Sequence, residues 1–253
     1  MRYIVLLIVS LILIGCSHPD RSSDLIVIDA GHGGKDCGAI CQGKYEKDIV
    51  LQIAKRLKDE LEDEGYRVYL TRSSDRFLTL GQRTRIADKK DAKVFISIHA
   101  NAISDKSRFE QIKGVETYFL QKSRDARSKR IAAKENAAVL QGQDKLSQNV
   151  ILDSILNGPK IIESNKLAID VQKNIIKSLR KEYNDIYNGG VRPAPFYVLV
   201  GASRPSILVE VGYITNSKER QRLLSSPYQE RLAKGIVAGV TRYLDNHKKE
   251  LGF

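Results

Sequence analysis

The chain has 253 residues, of which 42% are hydrophobic and 28% are charged, so it is long and apolar enough for the core of one sizeable domain. Its formal net charge of +12 favours anionic surroundings, such as lipid headgroups or wall polymers. Nucleic acid is disfavoured as the partner, because the chain begins with the pattern of an export signal and has no Trp and no basic stripe interleaved with aromatic residues.

The first residues have the layout of an export signal. An apolar run at residues 3–14 follows Met1-Arg2 and is too short to span a bilayer, but it suits the h-region of a secretory signal. The sequence Leu-Ile-Gly-Cys that ends at Cys16 has the form of a lipoprotein cleavage box, in which the cysteine is acylated. We therefore expect a signal peptide at residues 1–15 and a tether at 16–23. An ordinary signal peptide with a chance cysteine is the alternative.

Strands and helices alternate in the part of the chain that follows the tether. Helical periodicity predicts helices at residues 46–64 and 80–88, and apolar runs predict strands at residues 25–29, 66–71 and 93–98. Such alternation predicts a mostly parallel twisted sheet with helices on both faces. We expect one α/β catalytic domain at residues 24–253.

The second half of this domain has a different pattern. Strands are predicted at residues 114–120, as an edge-type strand, and at 197–200 and 207–211, and the closing amphipathic helix begins near Pro227 and runs through Leu244. Residues 121–188 are polar, Ala- and Lys-rich and helical in pattern. They form a helical insertion, which either covers one face of the sheet or has a regulatory role.

Two of the four histidines stand just past predicted strand ends. His32 lies in Gly-His-Gly-Gly after the first strand, and His99 follows the strand at 93–98. Ligands of open α/β sheets gather at the carboxyl ends of the strands, so these two imidazoles are expected to converge. Glu46 begins a predicted helix and Glu210 lies in a later apolar strand. Two imidazoles and two carboxylates suit a catalytic zinc ion with a general base, which indicates a metal-dependent amide hydrolase.

Five segments together resemble the motifs of a known family, in the family's order. The segments are IDAGHGGKD (28–36), YEKD (45–48), SIHAN (97–101), GVETY (114–118) and LVEVGYITN (208–216). They resemble the zinc-dependent N-acetylmuramoyl-L-alanine amidases of the type 3 family. The resemblance implies hydrolysis of the amide between N-acetylmuramic acid and L-alanine in peptidoglycan, for cell-wall remodelling and daughter-cell separation.

The resemblance also assigns roles to residues. It implies that His32, Glu46 and His99 bind Zn²⁺ and that Glu210 takes the proton of the attacking water. Periplasmic cell-division amidases are similar to this chain in carrying a helical insertion that plugs the zinc cleft until a partner moves it. This implies a periplasmic activator protein and an autoinhibitory insertion, with Glu135 as the candidate inhibitory metal ligand and Glu163 as the alternative.

The same features imply a location. A lipid on Cys16, followed by Ser17 rather than an aspartate retention signal, predicts a periplasmic protein anchored to the outer membrane. Two other functions remain open, namely a noncatalytic peptidoglycan-binding lipoprotein and another zinc amide hydrolase, such as a peptidase or a sugar deacetylase.

Three residues of the first motif region have an open role. Cys37 and Cys41 depart from the family pattern, and the sequence is compatible with a disulfide that closes this loop or with two free thiols that compete for metal. Asp29 precedes the Gly-rich turn, and we expect it to orient His32, because metal-bound histidines usually have such an acceptor.

Overall fold

The computed structural model describes residues 21–137 and 158–252. The predicted signal peptide, Cys16 and most of the tether lie outside these residues, as do residues 138–157 of the predicted insertion. Within the two described ranges, no helix is both long and apolar enough to cross a membrane.

The described residues form eight strands and six α-helices. The strands are β1 (Leu25–Ala30), β2 (Ile40–Cys41), β3 (Lys44–Tyr45), β4 (Arg67–Leu70), β5 (Val94–Asn101), β6 (Val115–Leu120), β7 (Asn188–Ala194) and β8 (Ser206–Tyr213). The helices are α1 (Glu46–Asp63), α2 (Leu80–Lys89), α3 (Ala126–Glu135), α4 (Gly158–Leu179), α5 (Ser217–Leu223) and α6 (Ser226–Glu250). Short 3-10 helices occur at Lys106–Arg108 and Tyr197–Leu199.

Six of the strands form one sheet in the order β4-β1-β5-β8-β6-β7. The strands β4, β1, β5 and β8 are parallel to one another, whereas β6 is antiparallel to β8 and parallel to β7. The predicted α/β fold with a mostly parallel sheet is therefore confirmed. The strands β2 and β3 form a separate two-stranded hairpin.

Apolar side chains pack on both faces of the sheet. On one face α1, α4 and α6 contribute Ile53, Val171 and Ile236, which are fully buried. On the other face α2 and α3 contribute Ala87 and Ile131. Fully burying a side chain the size of Ile stabilises a fold by roughly 1.5–3 kcal/mol, so these two layers are the main source of stability.

Two strand predictions in the second half are wrong. Residues 197–200 contain a 3-10 helix at Tyr197–Leu199 rather than a strand, because a short apolar run is buried equally well in either conformation. The strand β6 lies inside the sheet between β8 and β7, and not at its edge. The edge on this side of the sheet is β7, which was not predicted because its sequence NGGVRPA has two glycines and a proline, residues that disfavour strands.

The described part of the predicted insertion, residues 121–137 and 158–188, contributes two helices with different positions. The helix α4 packs against α6 and β6, and its side chains Leu167, Val171 and Ile175 are fully buried. It is thus part of the cover of the sheet. The helix α3 lies on the opposite face, where its C-terminal end reaches the strand ends that carry the predicted metal ligands.

Candidate metal centre

Neighbouring strands place the predicted base beside a predicted ligand. His99 near the end of β5 pairs in register with Glu210 of β8. The turn after β1 lies against the same strand, since the amide of Gly31 donates to the carbonyl of Ile98 at 3.0 Å. A Cβ atom on Gly31 would lie 2.4 Å from the His99 ring, so this close approach requires glycine.

His32 follows in a left-handed backbone conformation, with φ of 59°. Such a conformation costs a non-glycine residue about 1–3 kcal/mol and persists where the surroundings enforce it. Two buried arginines do so here: Arg72 donates to the carbonyl of Gly31 and Arg83 to that of His32, both at 2.7 Å. These two roles were missed, because a sequence cannot show that an arginine bonds to the carbonyls of a distant turn.

Glu46, the first residue of α1, joins the two imidazoles. Its Oε1 atom lies 3.0 Å from His32 Nε2 and 3.2 Å from His99 Nδ1. Backbone amides orient the carboxylate: Ala39 donates to Oε2 at 2.8 Å and Ala100 to Oε1 at 3.0 Å. The structure therefore brings together all three residues that the sequence motifs predicted as ligands.

Glu135, the last residue of α3, reaches the same point. Its Oε2 atom lies 3.2 Å from His32 Nε2 and 3.1 Å from His99 Nδ1. The adjacent Asn136 holds this end of the helix, because its side chain donates to the carbonyl of Pro195 and accepts from the amide of Tyr197. The alternative residue, Glu163, lies in a separate group with His247 and Glu250.

The residues present fit a bound metal ion. One ligand atom from each of His32, Glu46, His99 and Glu135 lies within 4.8 Å of all the others. The Nε2 atom of His32 is buried and makes no hydrogen bond among the described residues, although two carboxylate oxygens lie within 3.2 Å of it. A buried imidazole nitrogen without a hydrogen bond, beside other nitrogen and oxygen ligand atoms, is typical of a metal site. Two nitrogens and two oxygens are a donor set that zinc accepts in tetrahedral geometry.

The charges of the cluster favour a cation. Burial lowers the pKa of His99, but the carboxylates of Glu135 and Glu46 more than offset this and raise it to about 9. Burial likewise lowers the pKa of His32, and Glu46 and Glu135 raise it well above its usual value. The same negative field that binds protons to these imidazoles would favour a divalent metal ion.

The residue that orients His32 is Asp36, and the expectation for Asp29 is wrong. The Oδ2 atom of Asp36 lies 2.9 Å from His32 Nδ1. Asp29 instead accepts hydrogen bonds from Thr71 at 2.6 Å and Ser97 at 2.8 Å, and it pairs with Arg83. The reason is register: Asp29 pairs with Ser97, two residues before His99, so it lies deeper in the sheet than the imidazoles.

Glu210 lies beside the four converging residues and not among them. It is fully buried, and neither of its carboxylate oxygens has a hydrogen-bond partner within the described ranges. Burial raises its pKa well above the usual value, and the nearby charge of Glu135 raises it further. A buried carboxyl group with unused oxygens next to a metal site is suited to accept a proton from a substrate or a water molecule.

The two cysteines of the first loop are free thiols in the structure. The sulfur of Cys41 accepts a hydrogen bond from Arg220 at 3.4 Å. Neither Cys37 nor Cys41 belongs to the group of converging metal ligands.

The sheet is mostly parallel and carries a buried His-Glu-His-Glu cluster at its strand ends, with a free carboxyl group beside it. This combination is typical of metal-dependent hydrolases. The family model described as N-acetylmuramoyl-L-alanine amidase matches residues 26–242, and the chain belongs to this family. It is an enzyme that hydrolyses the amide bond between N-acetylmuramic acid and L-alanine in peptidoglycan.

The chain is also similar to known amidases in sequence and in structure. The chain is 36% identical to the N-acetylmuramoyl-L-alanine amidase AmiC of Escherichia coli over 87% of its own length, and spans about half (52%) of that protein. It is similar to the crystal structure of an N-acetylmuramoyl-L-alanine amidase from Clostridium difficile, with a TM-score of 0.68, 29% identity and coverage of 89% and 98% of the two chains. It is also similar to the CwlD amidase of Clostridioides difficile in complex with the GerS lipoprotein, with a TM-score of 0.65, 26% identity and coverage of 88% and 99%.

Proposed function

We propose that this chain is a zinc amidase of the periplasm, anchored by lipid to the outer membrane and kept inactive by α3 until a partner protein moves that helix. The observation that carries the proposal is the position of Glu135, which lies at hydrogen-bond distance from both imidazoles of the metal centre. Three residues, His32, Glu46 and His99, would hold the zinc, and Glu135 takes the fourth position only in the resting enzyme.

The chemistry of the open enzyme follows from the residues around this centre. When bound, zinc lowers the pKa of a water molecule and polarises the amide carbonyl. Glu210 takes the proton of the attacking water and returns it to the leaving amine nitrogen of L-alanine. A noncatalytic wall-binding role is not favoured, because a protein that had lost catalysis would not need all three ligands and the base.

The low exposure of the four converging side chains supports a closed resting state. The side chains of His32, Glu46, His99 and Glu135 are only 10%, 0%, 6% and 6% exposed. Because α3 closes the site, hydrolysis requires the helix to move. A ligand shifts such an equilibrium only through higher affinity for the open state, so the activator must bind a surface that α3 exposes or changes.

A protein partner and a role in daughter-cell separation are proposed on related grounds. The similar CwlD amidase was solved in complex with the GerS lipoprotein, so an amidase domain of this fold can form a complex with another protein. Unrestrained cleavage of peptidoglycan would endanger the cell. Restriction by α3, with release by a periplasmic partner, would limit hydrolysis to the wall that separates daughter cells.

The zinc assignment is tested by removing one ligand. Tested in the Glu135→Ala background, where α3 does not limit the rate, His99→Ala is expected to lose stoichiometric zinc and activity, because ligand loss should exceed the roughly 10- to 100-fold cost of altering an outer-shell partner. Metal analysis of the purified protein measures the zinc content. The matched control is His247→Ala, which should keep one zinc, since Lys166 already pairs with both carboxylates beside that histidine. Full zinc content and activity in His99→Ala would refute the assignment.

Lipid anchoring is tested at Cys16. The wild-type protein should need detergent for extraction from the membrane fraction, because each buried CH₂ of an acyl chain contributes about 0.8 kcal/mol. Cys16→Ser should be recovered without detergent, whereas Cys37→Ser, which alters a thiol of the folded domain, should stay with the membrane. Wild-type protein that fractionates without detergent would exclude the anchor.

A further inference from the structure

A second buried carboxylate lies next to the base and has no part in the chemistry described above. Glu116 of β6 is fully buried and pairs in register with Glu210 of β8, which in turn pairs with His99 of β5. The three residues thus form a row across three adjacent strands. Neighbouring strands are about 4.8 Å apart, so Glu116 on β6 lies two strands, or roughly 10 Å, from the predicted metal ligand His99 on β5.

Neighbouring side chains hold Glu116 in place. The hydroxyl of Tyr118 donates to its Oε2 atom at 2.8 Å, and the hydroxyl of Tyr213 lies 3.4 Å from the same oxygen. The other oxygen, Oε1, has no hydrogen-bond partner of good geometry within the described residues. A Cβ atom on Gly189 would lie 2.2 Å from Glu116 Cγ, so the neighbouring strand needs glycine to leave room for this side chain.

A cation from α3 occupies this position in the resting enzyme. The Nη2 atom of Arg127 lies 2.6 Å from Glu116 Oε1 and donates to the Tyr213 hydroxyl at 2.6 Å. Its guanidinium also lies 5.7 Å from the centre of the Tyr213 ring. Arg127 is eight residues before Glu135 on the same helix, or about 12 Å along its axis. The helix therefore fills two positions of one cleft. Its Glu135 carboxylate lies at the metal centre, and its Arg127 guanidinium lies beside Glu116.

Movement of α3 would remove both groups together. Among the described residues, the cation left beside Glu116 would then be Arg192, which lies 3.7 Å away and is 33% exposed. A buried carboxylate that loses its close cation is strongly disfavoured, so a replacement cation from the substrate would be bound in its place.

We propose that Glu116 and the Tyr213 hydroxyl form a subsite for a protonated primary amine of the peptidoglycan, and that Arg127 occupies this subsite in the resting enzyme. The inference rests on the proposed function. An extended peptide advances about 3.3–3.6 Å per residue, so a distance of about 10 Å corresponds to roughly three residues beyond the cleaved amide. The ligand is then the side-chain amine of a diamino residue in the stem peptide. An amino sugar that lacks its acetyl group offers the same chemistry.

The experiment compares substrates with and without the amine, using zinc-loaded mature Glu135→Ala protein. Soluble muropeptides are prepared with the stem-peptide amine free or acetylated. Hydrogen bonds between charged groups change affinity by about tenfold or more, so acetylation should lower kcat/KM at least about tenfold, mainly through KM. Adding Glu116→Gln should bring the ratio between the two substrates close to one. The matched control Glu110→Gln, which alters an exposed carboxylate bonded to Ser217, should leave the ratio unchanged.

The outcomes separate a subsite from a purely structural contact. If Glu116 only holds α3, Glu116→Gln changes the rates on both substrates equally and the tenfold ratio persists, which overturns the proposal. A third muropeptide, with a free amine on the sugar, identifies the source of the ligand. If kcat/KM rises only on this substrate, and the rise depends on Glu116, the subsite is supported and its ligand is the sugar amine. Melting temperature and zinc content verify that each variant is folded.

A binding measurement keeps the subsite and the proposed function distinguishable. Calorimetric titration of the Glu135→Ala protein with the free stem peptide, with its amine free or acetylated, needs no turnover. Absence of hydrolysis would contradict the proposed function alone. Equal affinity for the two peptides, together with no effect of the sugar amine, would overturn the subsite.

Discussion

Glu210→Gln is expected to keep its zinc and to lose nearly all turnover. The amide side chain has almost the same shape, so the fully buried position on β8 stays filled, but it cannot take a proton from water. General bases contribute roughly 10²- to 10⁴-fold to catalysis, so the loss in kcat should fall in that range. The measurement is release of labelled fragments from peptidoglycan, together with metal analysis.

The comparison needs an enzyme in which α3 does not already limit the rate. Glu210→Gln is therefore measured both in the wild-type chain and in the Glu135→Ala chain. The loss in kcat should be clear in the Glu135→Ala chain, because α3 no longer limits its rate. Activity within about tenfold of the matching parent would exclude Glu210 as the base, since a proton acceptor contributes more than that. Loss of zinc from the variant would instead assign it a role in holding the metal.

Glu135→Ala is expected to raise basal hydrolysis of peptidoglycan by the purified mature protein. Its carboxylate contacts both imidazoles, and the pKa of Glu135 is held well below its usual value: burial raises it, but Lys134, His99 and His32 lower it by more. Removing one charged contact of this kind shifts an equilibrium by about tenfold or more, so the open population and the rate should rise by a similar factor.

The control for this variant is already in the chain. Glu163→Ala removes a carboxylate of the same type from α4, where it accepts from Tyr243 at 2.9 Å and lies outside the metal centre, so its rate should equal that of the wild type. A partner protein should stimulate Glu135→Ala less than the wild type. Equal high rates in wild type and Glu135→Ala would discard autoinhibition, and equal low rates would show that Glu135 does not limit opening.

The residues of the candidate site could be predicted from the sequence because each lies at a recognisable point of a secondary-structure element. His32 follows an apolar strand, His99 lies near the end of one, Glu46 begins an amphipathic helix, and Glu210 lies in a buried strand. Parallel strands bring their carboxyl ends to one edge of the sheet, so local patterns predicted a shared site.

Other features depend on contacts between distant parts of the chain. The edge strand β7 forms at an atypical sequence because β6 offers it hydrogen-bond partners, and the apolar run at 197–200 coils because it packs under α2 and α3. Asp36, and not Asp29, orients His32, because strand register puts Asp29 level with Ser97. Propensity describes only the local chain, and tertiary packing overrides it at such places.

The sequence by itself determined the family and the α/β fold and predicted the residues of the candidate metal centre, since these depend on local periodicity and on motifs of a few residues. It named Glu135 only by resemblance. Only the tertiary structure decided that this carboxylate contacts both imidazoles and that Arg127, near the start of the same helix, contacts Glu116. Those contacts join residues of α3 to two different strands and a turn, and their geometry exists only once the helix is packed on the sheet.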